Sequence, residues 1–111
     1  MVIYLGIKAK KTNTEKIKNS IDKCIKNIKE KTTYGFSISK VGIYSHSKTL
    51  NEIALSFYPP LFCCGLNESW DKQQERKDKA YNEMKGVFMN FKDNLNKEIL
   101  SINSKIEIRD Y

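Results

Sequence analysis

WDKQQERKDKAYNEMKGVFMNFKDNLNKEIL, residues 70–100, is the stretch that decides the fold. Tyr81, Met84, Phe88, Phe91 and Leu95 recur at steps of three and four, and Ile99 follows four residues later. On a helix this spacing gathers bulky apolar side chains into one stripe, which Ala80 and Val87 widen. No proline interrupts the stretch, and its only glycine is Gly86. Asp71 to Lys79 contains no apolar residue. The pattern predicts one long helix with a solvated leading part and a packed trailing part. Ser69 or Asn67 can cap its start.

A helix of that length measures roughly 45 Å. Strands of about six residues reach only about 20 Å. Either residues 71–79 project beyond the sheet, or the helix breaks near them.

Upstream of the helix, Val2 to Ile7 is a near-continuous apolar run, as expected of an inner strand. Thr12-Asn13-Thr14-Glu15 matches a capping box. The helix it introduces carries Ile17, Ile21, Cys24, Ile25 and Ile28 on one face and lysines elsewhere. Its expected end is near Lys31 or Thr32. Tyr34, Phe36 and Ile38 alternate, and Val41 and Ile43 then alternate in the opposite phase. That slip at Ser39-Lys40 means a β-bulge in one strand or a tight turn between two, and the bulge is preferred because Ser-Lys is poor hairpin-turn chemistry. Tyr44 to Thr49 reads as a polar loop. Leu50 to Tyr58 reads as a strand, closed by Pro59-Pro60, which cannot donate to a sheet ladder. After the long helix, Ser104 to Asp110 alternates with Ile106 and Ile108 inward, as in a half-buried edge strand.

The order strand, helix, strand, strand, helix, strand predicts a single α+β domain over residues 1–111. The expected architecture is a ferredoxin-like β-α-β-β-α-β sandwich. It has a four-stranded antiparallel sheet with two helices on one face, the second of them long. The first and third strands, apolar on both faces, are expected at its centre.

The net charge of +7 is unevenly distributed. Residues 1–48 hold eleven lysines against Glu15, Asp22 and Glu30, whereas the remainder holds nine basic and ten acidic side chains. All the excess positive charge thus lies in the first half, a pattern that suits an anionic partner. Heavy use of lysine, asparagine and isoleucine is also what an AT-rich coding sequence produces, so part of this charge is simply the default surface.

No apolar run approaches the ~20 residues of a membrane span. The opening Met1-Val2-Ile3-Tyr4-Leu5 lacks a basic leader. The expected location is cytoplasmic (intracellular), with no membrane partner. Three cysteines, Cys24 and the adjacent Cys63-Cys64, make a poor disulfide framework, and with a lone histidine they make a poor zinc site. No metal or cofactor is expected.

Catalytic candidates are thin. His46 sits between Ser45 and Ser47 with no orienting acid nearby. Cys63 and Cys64 lack an evident base. Glu75, Asp78 and Glu83 are interleaved with Arg76, Lys77, Lys79 and Lys85, which is the pattern of a solvated helix face. The glycines are scattered, so no phosphate loop is present. The sequence leans away from an enzyme.

Two binding functions remain. One is a small basic module for an anionic ligand, nucleic acid or nucleotide. Lys8, Lys10, Lys11, Lys16, Lys18 and Lys23 would contact phosphates. Tyr4 and Tyr58, with Tyr34 or Phe36, would stack from the open sheet face. The motif of RNA-binding sheets, Lys-Gly-Phe-Gly-Phe-Val, is missing. The alternative is an inhibitor or adaptor, in the style of short lysine-rich phage or mobile-element proteins. It would bind a host defence protein through the 58–70 loop, by Pro60, Leu61, Phe62, Leu66 and Trp70, and through the start of the long helix. Homodimerisation through the open face is compatible with both.

Overall fold

The computed structural model describes residues 2–29, 31–60, 69–102 and 104–110. Its strands are β1 (Ile3–Lys10), β2 (Ser37–Ile38), β3 (Gly42–Ser45), β4 (Leu50–Tyr58) and β5 (Ser104–Asp110). Its helices are α1 (Thr14–Lys26) and α2 (Trp70–Glu98). The fold is α+β, with one open, antiparallel, five-stranded sheet in the order β2-β4-β1-β5 and β3 also on β4.

β1 and β4 lie at the centre, paired from Ile3↔Phe57 to Lys10↔Leu50. Alternation along each strand sends odd-numbered residues to one face. Ile3, Leu5, Ile7, Ile53, Leu55 and Phe57 are buried there. They join Ile17, Ile21 and Cys24 of α1 and Met84, Phe88, Phe91 and Leu95 of α2 in one core. Both helices therefore cover the same side of the sheet. Phe57 is the centre of this core, with ring centroids 5.2 Å from Phe88, 5.4 Å from Phe91 and 5.7 Å from Phe36.

α2 is continuous, so the break near residues 71–79 does not occur. The Ser69 hydroxyl accepts from the Lys72 amide at 3.3 Å and caps its start. Its first fully buried residue is Ala80. The molecule is accordingly elongated, 55 × 27 × 17 Å.

Several local expectations are corrected. Lys11–Asn13 forms a 3₁₀ turn, and α1 starts at Thr14 after Asn13 without a side-chain cap, so the Thr12–Glu15 capping box is not formed. The Thr14 hydroxyl accepts from Asn51 Nδ2 at 3.0 Å instead. α1 ends at Lys26, well before Lys31. Further along, the Thr33 and Tyr34 amides donate to Glu83 of α2 at 2.9 and 3.4 Å, and Gly35 adopts a φ of 78°. Phe36 stacks on Phe57, on the helix side, and not on the open face. Tyr44 belongs to β3, paired with Glu52, and not to a loop.

The sheet has five strands where four were expected. β2 and β3 both pair with β4, and the register advances by one residue between them, from Ile38↔Phe57 to Gly42↔Ala54. Across the gap the Ser39 amide donates to the Ser56 carbonyl at 2.9 Å, and Ser39 Oγ accepts from the Ser56 amide at 2.8 Å. A side chain thus completes the ladder where the backbone departs from it.

Candidate functional site

The even-numbered positions of the central strands face away from both helices. Their pairing defines cross-strand rows on this open face. One row is Tyr4–Ser56 with Arg109, the next is Gly6–Ala54 with Gly42 and Glu107, and the third is Lys8–Glu52 with Tyr44 and Lys105. The middle row has almost no side chains of its own, and rings from the rows on either side lie over it.

A Cβ added at Gly6 would stand 2.7 Å from Glu52 Oε1 and 3.0 Å from the Tyr4 hydroxyl. A Cβ at Gly42 would stand 2.6 Å from the Tyr44 hydroxyl and 2.7 Å from Tyr44 Cε2. Each tyrosine therefore lies down along its own strand over a glycine two residues away, as glycine's missing side chain permits. The two motifs are mirror images, Tyr4-Leu5-Gly6 and Gly42-Ile43-Tyr44. Between the rings Ala54 is buried. Tyr44 keeps 61% of its surface exposed and Tyr58 keeps 41%.

The Tyr4 hydroxyl donates to Glu52 at 2.8 Å. Burial, followed by this bond, pushes the Tyr4 phenol up to about 12. The Arg109 guanidinium lies 5.9 Å from the Tyr4 ring centroid. Arg109 also pairs with Glu107 at 2.7 Å, and Lys8 approaches Glu107 at 3.8 Å. The Arg109 hydrogen bond leads the effects that hold the Glu107 carboxyl below its ordinary range. Both carboxylates of the face are thus engaged internally.

At the end of this face, Lys10, Lys11, Thr12, Lys48, Thr49 and Leu50 line an open pocket of ≈ 540 Å³. The Lys11 amide donates to the Thr49 carbonyl at 2.9 Å and ties the two walls together. Among the described residues, none of the three lysines forms an ion pair. Three cations without an ion-pair partner among the described residues concentrate positive potential there.

The predicted ligand residues divide between two layers. Tyr4, Lys8, Lys10 and Lys11 fall on or beside the open face, and Tyr58 lies at its far end. Lys16, Lys18 and Lys23 lie on α1, on the opposite layer, and Lys23 pairs with Glu98 at 3.0 Å. Tyr44, Lys48, Lys105 and Arg109 belong to the face but were not singled out in sequence. Of the docking residues, Pro60 is half-buried and Trp70 is 69% exposed. Leu61, Phe62 and Leu66 lie outside the described residues, as do Cys63 and Cys64. His46 is exposed, its amide donating to the Leu50 carbonyl at 3.0 Å. Among the described residues no group of His, Cys, Asp and Glu side chains gathers as a metal site, and no helix is long and apolar enough to cross a membrane.

No protein-family model matches the chain, and no curated protein matches it. Solved structures do resemble it. The de novo designed protein Foldit4 superposes with a TM-score of 0.55 at 10% identity, over 97% of this chain and 91% of that one. The de novo designed protein Ferredog-Diesel gives 0.49 at 9% identity, over 99% and 85%. An amidase of the hydantoinase/carbamoylase family from Burkholderia multivorans gives 0.42 at 9% identity, over 99% of this chain and 26% of that one. The Foldit4 likeness concerns the fold alone, and the other two are too distant to bear on fold or function.

Proposed function

We propose that this chain is a small, non-catalytic, intracellular binding module for an anionic ligand, nucleic acid or nucleotide. The observation that carries this is the pocket of Lys10, Lys11 and Lys48 at one end of an open sheet face that bears Tyr4, Tyr44 and Tyr58. Phosphate-binding lysines supply affinity, and flat aromatic surfaces accept bases. We also read β2 and β3 as two arms of one bulged strand. The single domain is then ferredoxin-like and four-stranded. The one-residue register advance and the placement of both helices on one face support this.

Retention on immobilised single-stranded DNA and on immobilised ATP, measured across salt concentration, tests the binding function. Affinity should fall steeply from low to moderate salt. Replacing Lys10, Lys11 and Lys48 together by glutamine should lower the logarithmic salt slope by about 2. Salt-independent or absent retention of both ATP and DNA overturns it.

One observation favours a second function. Trp70 stands exposed at the start of α2, followed by nine residues none of which is fully buried. An exposed tryptophan at the start of a helical segment with no fully buried residue suits an inhibitor or adaptor docking on a host protein. Loss of one specific protein partner on Trp70→Ala, with no salt dependence, would favour it.

A further inference from the structure

We propose that Tyr4 and Tyr44 form a paired stacking platform for two bases of one single-stranded nucleic acid, with Lys10, Lys11 and Lys48 holding its phosphates. This rests on the anionic-ligand function proposed above and names the ligand class. Each ring reaches over a glycine. Tyr44 is largely exposed, and Tyr4 is half-buried with the Arg109 guanidinium over its ring. The two rings sit on β1 and β3, with β4 between them. Two strand spacings separate them, roughly 10 Å across the sheet. One mononucleotide base does not cover both, whereas a flexible strand of several nucleotides does.

Double-stranded nucleic acid fits poorly, because its bases are already stacked on one another and are not free to stack on the rings. The face is net positive: Lys8, Lys10, Lys105 and Arg109 line it against Glu52 and Glu107, with Glu107 paired to Arg109 and Lys8. A backbone anchored in the lysine pocket meets Tyr44 first, since Tyr44 pairs with Glu52, two residues from the pocket's Leu50.

The test is fluorescence anisotropy with an end-labelled oligothymidylate of about ten nucleotides, and with an abasic oligomer of the same phosphate count. The wild-type chain should bind the thymidylate more tightly than the abasic oligomer. Tyr44→Ala should weaken thymidylate binding roughly five- to hundredfold and leave abasic binding unchanged. Tyr44→Phe should bind as the wild type does. Gly42→Val, which displaces the ring while keeping it, should behave as Tyr44→Ala, with circular dichroism confirming the fold. Equal binding of thymidylate and abasic oligomer by all variants overturns the platform and leaves the anionic-ligand function standing. Failure of the wild type to bind either oligomer overturns the platform, and failure to bind ATP as well overturns both. Tighter binding of duplex than of thymidylate also overturns the platform.

Discussion

The hydroxyl of Tyr4 on β1 donates to Oε1 of Glu52 on β4 at 2.8 Å, joining positions 48 residues apart on the open face. Burial is the larger cause of the raised phenol, and the Glu52 bond is the next. The folded value, about 12, lies above the ordinary 10.0. Its stabilising contribution is therefore complete below pH 10.0 and disappears as pH rises through about 12. Tyr81, half-buried and donating to Asp110, follows the same course. Urea midpoints measured across that window should fall with rising pH, and fall less in Tyr4→Phe. Equal slopes would show that Tyr4 is not coupled to folding.

Gly6→Ala tests whether the ring lies where described. The new Cβ meets the far ends of two flexible side chains, Glu52 at 2.7 Å and Tyr4 at 3.0 Å. Those ends can move, so the stability change should stay within about 1 kcal/mol, less than typical core overpacking. The Tyr4 phenol should lose its late titration by ultraviolet absorbance. An unchanged titration would place the ring elsewhere.

Ser39→Ala removes the acceptor of the Ser56 amide at 2.8 Å. Losing one partner of a half-buried backbone donor should cost about 1–2 kcal/mol in urea unfolding. Hydrogen exchange at Ser56 should accelerate first, because the ladder is interrupted beside it.

Phe57→Ala should be the most damaging of these substitutions. The side chain is fully buried and touches Phe36, Phe88 and Phe91. Large-to-small changes at such positions cost about 3–5 kcal/mol. Chemical denaturation of the variant measures it directly. A loss under about 1 kcal/mol would contradict the core described here.

Much of the fold was legible because its signals are local. The stripe from Tyr81 to Leu95 gave α2, and alternation gave β4 and β5 with the bounds observed. What failed depends on distant partners. Thr12 carries a good cap sequence, yet Lys11 is drawn to Thr49 and Thr14 to Asn51, so the chain enters α1 by a different route. α1 stops at Lys26, and beyond it Glu83 of the other helix accepts from the Thr33 and Tyr34 amides, a partner that no local pattern announces. Tyr44 looked like loop because only its pairing with Glu52 makes it strand. The site was half legible. Tyr4 and the early lysines were visible by type, but charge counted along a chain does not reveal which lysines share a surface. Lys48 and Lys10 meet in the fold, whereas Lys16 and Lys23 go to the other layer. The mirrored Tyr-x-Gly and Gly-x-Tyr triplets were the available signal for the platform.

Amide chemical-shift mapping on ¹⁵N-labelled protein titrated with oligothymidylate puts the open face most directly at risk. Shifts should concentrate in Tyr4–Lys11, Gly42–Lys48, Glu52–Ser56 and Lys105–Arg109. Shifts confined to Lys16, Lys18 and Lys23, or to Trp70 and the turn after it, would contradict binding at this face.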